Sequence, residues 1–329
     1  MDLTVTFIGT AASVPTKARG TAATLIARGG ERWLVDCGEG TQRQLLRSGL
    51  GLVDLDLILV THLHGDHFLG LPGLVKTFGL RGRERPLRIV GPRGILELFD
   101  RLGGVIGRTP YPLRVEEATA ETVHETDGAV IESFHTHHGV PSLGYAIVEH
   151  ARPGAFDVAA AAALGVPAGP LFGRLQRGEP VTVDGREVRP DEVMGPARSG
   201  RKVALSGDTR PCMATASAAE GADLLVHEAT FLESERDRAI ETGHSTAREA
   251  AALAREAGVR LLALTHLSSR FMPRDARAEA GAEFENVAVP RDFDQVELPF
   301  RERGEARLIR SDGDGVVVGR EEPGAAGPA

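Results

Sequence analysis

Residues 55–67 read Leu55-Asp56-Leu57-Ile58-Leu59-Val60-Thr61-His62-Leu63-His64-Gly65-Asp66-His67, so that three histidines and an aspartate follow closely on an apolar run. Neutral imidazole and carboxylate groups are the donors that bind zinc and similar divalent ions in proteins. If the four groups were buried together without a metal, each one left without a hydrogen bond would cost roughly 2–7 kcal/mol. A solvated polar loop is the alternative interpretation, but the density of ligand-type residues favours a metal site.

The composition is that of an ordinary globular protein of 329 residues, of which 42% are hydrophobic and 26% charged. No apolar stretch of the sequence approaches the ~20 residues that cross a bilayer, and the N-terminal residues do not resemble a secretory signal. With only Cys37 and Cys212, the sequence has no disulfide framework, which fits a reducing cytoplasm. A net charge of −8 argues against a broad nucleic-acid-binding surface, so any contact with a polyanion must come from a local patch.

Six short apolar runs each lead to a side chain that could bind a metal or move a proton. Such runs, bounded by turn residues, are typical of buried strands. Because functional residues that follow the strands of an open α/β sheet gather at one edge, the six runs predict a single site. The runs and the residues that follow them are 33–35 with Asp36, 57–60 with His62, 130–134 with His135, His137 and His138, 203–205 with Asp208, 224–226 with His227 and Glu228, and 261–264 with His266.

Helices are expected between these strands. Residues 246–257 are rich in helix-forming Ala, Arg and Glu, with Gly258 at the C-terminal stop and Ser245 as the expected N-cap. Another helix is expected to start within residues 38–46, after a turn. Strands that alternate with helices in this way predict an α/β fold.

Residues 151–202 have a different character, because they are rich in Pro, Gly and Ala and show little strand periodicity. They carry eight Lys or Arg against six Asp or Glu, a net charge of +2 within a chain of −8. We therefore expect a single domain over residues 1–329 with an inserted arm at 151–202 that concentrates affinity for a polyanion. A flexible loop without function is the alternative for this segment. Residues 321–329, rich in Gly, Pro and Ala, are expected to form a disordered tail.

The metal motif, His-x-His-x-Asp-His, resembles that of the metallo-β-lactamase superfamily. Five further segments narrow the resemblance to the ribonuclease Z family, the endonucleases that mature tRNA 3′ ends, and it extends over about residues 5–300. Two of these segments, His227-Glu228-Ala229-Thr230 and Gly243-His244-Ser245-Thr246, together indicate RNA processing. The segments are Pro15-Thr16-Lys17-Ala18-Arg19, Asp36-Cys37-Gly38-Glu39-Gly40-Thr41-Gln42, Ser206-Gly207-Asp208-Thr209, His227-Glu228-Ala229-Thr230 and Gly243-His244-Ser245-Thr246.

This resemblance implies an α/β fold, a four-layer αββα metallo-β-lactamase-like sandwich, with two Zn²⁺ ions per subunit. Manganese is also possible at such a site. Two adjacent divalent ions are typical of enzymes that hydrolyse phosphodiesters. The implied ligands are His62, His64, His138 and Asp208 for one ion, and Asp66, His67, His266 and the bridging Asp208 for the other.

Three residues are implied to act in catalysis, namely Asp66, His244 and Glu228. Asp66 is expected to orient or deprotonate a water molecule, with a purely ligating role as the alternative. His244, with its pKa held near the operating pH by a carboxylate, is expected to donate a proton to the leaving 3′-oxygen of the RNA. His227 is expected to make a structural hydrogen bond at the end of a strand, in support of the site.

Among three closely spaced histidines, the family pattern selects His138 as the ligand, since it directly precedes Gly139-Val140. His135 and His137 are then left to support the ligands or to face solvent. Asp36 is expected to accept a hydrogen bond from the distal N–H of a metal-bound imidazole. A helix N-cap in the turn that follows is an alternative role for Asp36, compatible with the first.

Two basic segments are expected to contact RNA. Lys17 and Arg19 resemble the family's Pro-x-Lys-x-Arg loop near the cleavage point, although Gly20 stands where an asparagine is usual. Solvation alone is the alternative for this basic pair. In the arm, Arg174 and Arg177 lie in or beside a Gly-Pro segment that resembles part of the family's tRNA-binding exosite. Phosphate contacts there would position the tRNA without reading its sequence.

The resemblance implies a cytoplasmic, zinc-dependent endoribonuclease that cuts precursor tRNA after the discriminator nucleotide. The products would be a tRNA with a 3′-hydroxyl and a trailer with a 5′-phosphate. The resemblance also implies a homodimer in which the arm of one subunit grips the tRNA that the other subunit cleaves. A hydrolase of the same superfamily that acts on small phosphodiesters, sulfate esters or lactones is the first alternative. A metal-stabilised RNA-binding protein without activity is the second.

Overall fold

A computed structural model describes residues 2–52, 55–312 and 317–321 of the chain, the last range by its backbone alone. The tail expected at residues 321–329 therefore lies outside the described residues, apart from Glu321 at the end of a strand. Within the described part of the chain, no helix is both long and apolar enough to span a membrane.

All six apolar runs that the sequence singled out form strands, which confirms that part of the prediction. They correspond to β3, β4, β8, β12, β13 and β14. The strands are β1 (Leu3–Gly9), β2 (Ala23–Arg28), β3 (Glu31–Val35), β4 (Leu57–Leu59), β5 (Leu87–Gly91), β6 (Leu113–Glu117), β7 (Thr122–Glu125), β8 (Ala129–His135), β9 (Leu143–Glu149), β10 (Val181–Val183), β11 (Arg186–Val188), β12 (Lys202–Leu205), β13 (Leu224–Glu228), β14 (Leu262–Thr265), β15 (Val287–Ala288), β16 (Gln295–Glu297), β17 (Arg307–Ser311) and β18 (Val317–Glu321).

Helices connect many of these strands, as expected of an α/β fold. The helices are α1 (Thr41–Arg47), α2 (Gly65–Phe68), α3 (Leu71–Leu80), α4 (Ile95–Ile106), α5 (Val158–Ala163), α6 (Pro170–Gln176), α7 (Met213–Ala219), α8 (Arg236–Thr242), α9 (Ala247–Glu256) and α10 (Pro273–Gly281). The helix expected to start within residues 38–46 is α1.

The strands form two mixed sheets and a separate hairpin of β10 and β11. Within the described residues, the first sheet has nine strands in the order β18-β17-β16-β1-β2-β3-β4-β5-β6, with parallel pairing from β3 to β6. The second has seven in the order β15-β14-β13-β12-β9-β8-β7, with parallel pairing from β12 to β15. Because parallel neighbours end at the same edge of a sheet, the loops after these strands lie close together.

Three apolar clusters arrange sheets and helices in four layers. The first lies between the two sheets, the second packs helices on the outer face of the second sheet, and the third packs helices on the outer face of the first sheet. This order confirms the predicted αββα sandwich. Representative members are Val5, Trp33, Tyr145 and Val203 between the sheets, Ala219, Ala250 and Ala276 on the second sheet, and Leu45, Leu74 and Ile95 on the first.

Helix α9 begins one residue later than the sequence suggested. Its N-cap is Thr246, whose side chain accepts a hydrogen bond from the Glu249 amide, while the Glu249 carboxylate accepts one from the Thr246 amide. This reciprocal capping box satisfies two backbone donors at once. The expectation of Ser245 as the N-cap is therefore wrong, and its hydroxyl instead donates to the Thr209 carbonyl oxygen at 2.6 Å.

Residues Glu149–Gly200 form a compact unit of their own, which we call the arm unit. It contains α5, α6 and a hairpin, β10 and β11, that the sequence analysis did not predict. The turn of the hairpin is Asp184-Gly185, where both residues have positive φ, and this dipeptide was the available signal. The arm unit has its own small apolar core, formed by Ala161, Val166, Leu175, Val181, Val188 and Val193.

Candidate metal centre

The predicted ligands lie on loops that follow strands of both sheets. In the first sheet, β3 ends directly before Asp36, and the loop after β4 carries His62 and leads into the one-turn helix α2. In the second sheet, Asp208 and His266 follow the parallel strands β12 and β14, and His138 follows β8. Every predicted ligand belongs to a group whose candidate donor atoms all lie within 4.8 Å of one another.

The first ligand group consists of His62, His64 and His138, with Asp208 beside them. His62 Nε2 lies 3.0 Å from His64 Nδ1, which in turn lies 3.3 Å from His138 Nε2. Asp208 Oδ2 lies 3.6 Å from His62 Nε2. Three imidazole nitrogens and one carboxylate oxygen therefore converge, which is a donor set suited to zinc and similar divalent ions.

The second ligand group consists of Asp66, His67 and His266, and it shares Asp208 with the first. Asp66 Oδ2 lies 3.2 Å from His266 Nε2, and His67 Nε2 lies 3.3 Å from the same nitrogen. Asp208 Oδ2 lies 3.4 Å from both His67 Nε2 and His266 Nε2. A single carboxylate oxygen thus adjoins both groups, as a residue that bridges two ions must.

Four ligand histidines have their second ring nitrogen held by a neighbouring oxygen. Such contacts fix the orientation of the ring and leave the other nitrogen free for a metal ion. The contacts are His62 Nδ1 with Thr61 Oγ1 at 3.1 Å, His67 Nδ1 with Asp36 Oδ2 at 2.7 Å, His138 Nδ1 with Gly243 O at 2.8 Å, and His266 Nδ1 with Thr230 Oγ1 at 2.9 Å. The chain therefore fits divalent metal ions at this centre.

Burial keeps two imidazoles of the first group neutral. It lowers the pKa of His62 to about 2, and it also lowers the pKa of the more exposed His64. Both rings thus present the neutral nitrogen that a metal ion requires. At Asp208 burial alone would raise the pKa, but the charges of His266 and His67 hold it well below its usual range. A buried carboxylate that stays ionised needs a cation beside it, as a metal site provides.

Asp36 supports the ligand loop and does not cap a helix. Its two oxygens accept hydrogen bonds from the Thr61 amide at 2.8 Å and the Thr61 hydroxyl at 2.9 Å. The N-cap of α1 is Gly40, so the alternative role of Asp36 as a helix cap is wrong. Asp36 and His266 both have positive φ, at 60° and 53°. Such strained backbone is typical of functional sites, where the surrounding structure holds it in place.

Gly207 allows the Asp208 loop to approach the loop of the metal motif. A Cβ at this position would lie 2.8 Å from Thr61 Cβ, and the residue has a φ of +60°. Glycine adopts this conformation without steric cost, whereas a larger residue would both strain and clash. The close approach of the two sheets' loops therefore depends on this glycine.

A second polar network joins His244 and Glu228 beside the two ligand groups. His244 Nδ1 lies 2.8 Å from Glu228 Oε1, which also accepts a hydrogen bond from the Thr209 amide at 2.9 Å. The Thr230 hydroxyl donates to Glu228 Oε2 at 2.7 Å. Burial alone would lower the pKa of His244, but the charge of Glu228 raises it to about 9. His244 thus holds a proton at neutral pH, 3.9 Å from Asp208 Oδ2.

His227 lies on β13, directly before Glu228, and the two side chains point to opposite faces of the sheet. The Nδ1 atom of His227 lies 2.8 Å from the Glu228 carbonyl oxygen. Within the described residues, its Nε2 has no hydrogen-bond partner. The expected structural hydrogen bond is thus to the backbone rather than to a ligand. His135 and His137 are exposed to solvent.

Comparison with known proteins assigns this centre to a family. Residues 16–156 match the model of the metallo-beta-lactamase superfamily, and residues 174–267 match that of a beta-lactamase superfamily domain. The chain is 47% identical to a ribonuclease Z of Methanosarcina acetivorans, over 91% of this chain and 99% of that protein. The chain belongs to the ribonuclease Z family. It is also 46% identical to a ribonuclease Z of Gemmatimonas aurantiaca, over 92% of this chain and 98% of that protein.

Solved structures agree with this membership. Human tRNase Z, short form, superposes with a TM-score of 0.67 at 28% identity, over 90% of this chain and 99% of that chain. A metallo-beta-lactamase fold protein of Bacillus subtilis also has a TM-score of 0.67, but at 21% identity it shows only the shared fold. The family and the fold class predicted from the sequence are confirmed. As a ribonuclease Z, the protein is a metal-dependent endoribonuclease.

The structure separates the two basic residues expected to contact RNA near the centre. Lys17 is exposed, whereas the Arg19 guanidinium donates into the protein, to Thr10 Oγ1 and, at 3.1 Å, to the Pro290 carbonyl oxygen. Burial lowers the pKa of Arg19. Arg19 therefore anchors its loop from within, and Lys17 is the outward-facing member of the pair.

The two arginines expected to contact RNA from the arm unit lie at its surface. Arg174 belongs to α6, and Arg177 is the C-cap of that helix. Both pair with Glu179, at 3.1 Å and 3.0 Å. Their guanidinium groups are solvent-exposed, and their contact with RNA stays a prediction.

Sequence reasoning missed several residues that hold the ligands in place, namely Thr61, Thr230 and Ser13. The Thr230 hydroxyl lies within hydrogen-bond distance of Glu228, His266 and, at 3.2 Å, His244. The Ser13 amide donates to Asp66 Oδ2 at 2.9 Å. Thr230 closes the His-Glu-Ala-Thr segment and Thr61 directly precedes the metal motif, so motif membership was the available signal. Ser13 had no comparable signal.

Proposed function

We propose that this protein cuts precursor tRNA on the 3′ side of the discriminator nucleotide, leaving a 3′-hydroxyl on the tRNA and a 5′-phosphate on the trailer. As a ribonuclease Z, it is an endoribonuclease of tRNA 3′ processing. The observation that carries the proposal is the convergence of two ligand groups on Asp208 Oδ2, beside the proton-bearing pair of His244 and Glu228. A centre of this kind suits hydrolysis of a phosphodiester.

The resident cations in this proposal are two Zn²⁺ ions per subunit, with Mn²⁺ as a possible substitute. One would be held by His62, His64, His138 and Asp208, and the other by Asp66, His67, His266 and Asp208. When bound, such ions bring the pKa of water towards neutrality and offset the negative charge of the phosphodiester. The remaining work falls to side chains of the protein.

Asp66 is the residue that we assign to the attacking water, in addition to its role as a ligand. Its carboxylate contacts His266 and receives the Ser13 amide on the same oxygen, Oδ2. Burial alone would raise the pKa of Asp66, but its contact with His266 and the charge of His67 lower it. Asp66 is therefore ionised and held in one orientation, as a group that positions the attacking water must be.

His244 is the residue that we assign to the leaving group. Its Nδ1 is engaged with Glu228, which leaves Nε2 to donate a proton to the departing 3′-oxygen of the tRNA. Glu228 in turn is held by the Thr209 and Thr230 amides and by the Thr230 hydroxyl. This chain of contacts fixes the ring, so that the proton is delivered in one direction.

We further propose that the arm unit binds the tRNA body through backbone phosphates, with Arg174 and Arg177 as candidate contacts and Lys17 as the contact near the cut. Phosphate contacts would fix the position of the tRNA, and its shape rather than its sequence would be recognised. The enzyme would act in the cytoplasm as a homodimer, with the arm of one subunit serving the centre of the other. Light scattering on the purified protein tests the dimer.

A cleavage assay on a precursor tRNA tests the function. We expect one cut after the discriminator nucleotide, with a 3′-hydroxyl and a 5′-phosphate at the new ends, abolished by EDTA and restored by Zn²⁺. Metal analysis of the active protein should give two zinc ions per chain. A higher kcat/KM for a small phosphodiester, sulfate ester or lactone than for precursor tRNA would favour the alternative hydrolase. Binding of tRNA without cleavage, with Zn²⁺ and Mn²⁺ both supplied, would favour the non-enzymatic alternative.

A further inference from the structure

A cavity of about 170 Å³ lies between the loop that carries Lys17 and helix α1, and we call it the basic pocket. Its lining includes Lys17, Arg43, Gln44, Arg47 and Asp292. The cavity has room for a phosphate group with its water. Arg43 and Arg47 stand one turn apart on the same face of α1, so their guanidinium groups border the same space.

The four cations that line the basic pocket divide into a free pair, Lys17 and Arg43, and a fixed pair, Arg19 and Arg47. Within the described residues, the side chains of Lys17 and Arg43 make no ion pair or hydrogen bond, and both are exposed. Arg47, in contrast, donates to Gln44 Oε1 at 3.0 Å and lies over the ring of Phe293, 5.2 Å from its centroid. A pocket with two unpartnered cations and two more in fixed positions is suited to an anion.

The floor of the basic pocket is a buried polar network. Asp292 accepts hydrogen bonds on Oδ2 from the Gly20 amide and from Gln44 Nε2, both at 2.6 Å, and on Oδ1 from the Thr10 hydroxyl at 2.7 Å. Its carboxylate is thus occupied by donors of the protein and does not compete for the cations at the mouth. The other acidic residue of the lining, Glu39, is exposed at the rim.

Gly20 is part of what makes this pocket possible. A Cβ at position 20 would lie 2.9 Å from Gln44 Nε2, the atom that donates to Asp292. An asparagine usually stands at this position of the family's Pro-x-Lys-x-Arg loop. Its side chain would push Gln44 out of contact with Asp292. The departure of this chain from the family pattern therefore coincides with the Gln44–Asp292 floor.

The loop that borders the pocket also reaches the metal centre. Thr16 closes it into a tight turn, accepting from the Arg19 amide at 2.9 Å through its hydroxyl and donating its own amide to the Arg19 carbonyl at 2.8 Å. Lys17 is thereby held at the tip of the turn. Three residues before Thr16, the Ser13 amide donates to Asp66 Oδ2 at 2.9 Å. The basic pocket is thus connected to the second ligand group, through Asp66.

His244, which we assign to the tRNA 3′-oxygen, adjoins different residues. It contacts Glu228 and Thr230, and its ring centroid lies 5.0 Å from that of His138 in the first ligand group and 5.5 Å from that of His266 in the second. In an in-line displacement the attacking water and the leaving oxygen lie on opposite sides of the phosphorus. With Asp66 assigned to the water and His244 to the tRNA 3′-oxygen, the tRNA end lies away from Asp66, and the Ser13 loop is left for the strand beyond the cut. That strand is the trailer, a single-stranded polyanion.

We propose that the basic pocket binds a backbone phosphate of the 3′ trailer, with Lys17 and Arg43 as its ligands and Arg47 as a fixed charge behind them. This inference rests on the proposed function, because only a phosphodiesterase of precursor tRNA has a trailer to hold. Arg19 is a positioning residue in this scheme, since its guanidinium anchors the loop from within. The pocket would favour substrates with longer trailers over substrates with a single extra nucleotide.

The test compares two precursor tRNAs that differ only in the trailer, which has either a single nucleotide or several. The variants are the double substitution Lys17→Ala and Arg43→Ala, the charge-preserving Arg43→Lys, and Arg81→Ala as a matched control. Arg81 is an exposed arginine at the end of α3, outside the pocket lining. KM and kcat are measured for each pair over a range of salt concentrations.

We expect the double variant to raise KM for the long trailer roughly tenfold, and for the single-nucleotide trailer by less than about twofold. The salt dependence of log kcat/KM on the long trailer should become shallower by about 0.7 for each phosphate that the variant no longer neutralises. Arg43→Lys should retain most of the wild-type affinity, and Arg81→Ala should match the wild type.

An equal rise of KM on both trailers would overturn the inference, because the pocket would then act on the mature tRNA or on the fold of the loop. An unchanged salt slope would overturn it as well, since the variant would then neutralise as many phosphates as the wild type. Failure of the wild-type enzyme to cut either substrate is a different result, which would reject the proposed function itself and the trailer site with it.

Discussion

The body of the protein, up to Val148 and from Arg201 onward, uses charge differently from the arm unit. In the body, Asp36, Asp208 and Glu228 are buried, and each contacts a histidine within 3.6 Å. Even the ion pair of Arg210 with Glu249 lies mostly covered, and Arg210 also donates to the His244 carbonyl oxygen at 2.6 Å. In the arm unit, the charged pairs lie at the surface, among them Arg174–Glu179, Arg186–Glu192 and Arg189–Asp191.

This difference decides which charged side chains can exchange an ion-pair partner in the protein for a phosphate of the RNA. An exposed ion pair contributes only about 0–1 kcal/mol, so an arginine of the arm unit can exchange its carboxylate for a phosphate at little cost. A buried charge that loses its partner costs several kcal/mol, so the buried charged groups of the body are fixed where they are. We therefore expect changes to the buried groups of the body to lower turnover, and changes in the arm unit to weaken tRNA binding.

Removal of the metal ions should have the largest effect, and it should act through the body alone. EDTA should abolish cleavage of precursor tRNA and of a nitrophenyl phosphodiester together, because both reactions depend on the same centre. The ions bind the folded state, so their removal should also lower the thermal unfolding midpoint; free metal at a hundredfold excess over Kd contributes about 2.7 kcal/mol of stability. Readdition of Zn²⁺ is the control. Activity that persists in EDTA would show that cleavage does not depend on metal ions in the body. The comparison between the body and the arm unit would then lose its basis.

Asp66→Ala should separate turnover from binding most clearly. We expect kcat for precursor tRNA to fall by about 10⁴-fold, since the variant lacks both a ligand and the group that accepts the proton. The Kd for tRNA, measured by filter binding, should change by less than about twofold, because the contacts with the tRNA body lie elsewhere. Turnover near the wild-type value would exclude Asp66 from the mechanism.

His244→Ala should show an effect that depends on the leaving group. With precursor tRNA, kcat should fall by about 10²–10³-fold, because the alkoxide leaving group needs a proton. With a nitrophenyl phosphodiester the loss should be much smaller, since nitrophenolate is stable without a proton. Glu228→Gln is the matched variant, because it removes the charge that Nδ1 of His244 contacts. Equal losses on both substrates would mean that His244 only shapes the site.

The fold and the cluster of candidate ligands in the metal motif could be predicted from the sequence because their signals are local, whereas the rest of the expected ligand set came from the family resemblance. Three histidines and an aspartate lie within six positions, and each of six apolar runs ends beside a candidate residue. The contacts that hold the ligands could not be predicted, because they join distant parts of the chain. His138 Nδ1 lies against the carbonyl oxygen of Gly243, 105 positions away. A backbone carbonyl has no side-chain signature, so only the folded structure shows which one is used.

Two further expectations show where local patterns mislead. Arg19 is part of a basic motif, yet its guanidinium turns inward to Thr10 and the Pro290 carbonyl, because the loop needs an anchor. Ser245 and Thr246 are both good N-cap residues, and the sequence alone does not rank them. The choice is decided by Glu249, which pairs with Thr246 in the capping box, and by the Thr209 carbonyl, which takes the Ser245 hydroxyl.

Deletion of residues 155–195 should affect the arm unit alone. The remaining ends lie close together, since Arg152 and Arg198 exchange two backbone hydrogen bonds of 2.7 Å and 2.9 Å. We expect KM for precursor tRNA to rise by roughly 10–100-fold, because the deletion removes the cations that would bind several phosphates. Turnover of a nitrophenyl phosphodiester should stay within about twofold of the wild type. An equal loss of both activities would show that these residues also serve the body.

Arg174→Ala should have the smallest effect and should test the exchange of partners directly. Arg174 pairs with Glu179 at the surface, so its removal should change the free energy of unfolding by less than about 0.5 kcal/mol. If Arg174 contacts a phosphate, the salt slope of tRNA binding should fall by about 1. Glu179→Gln is the informative partner variant, because Glu179 pairs with both Arg174 and Arg177. Without the charge of that carboxylate, the two arginines should bind tRNA more tightly. Weaker binding by the Glu179→Gln variant would instead show that the ion pairs stabilise the arm unit and do not compete with the RNA.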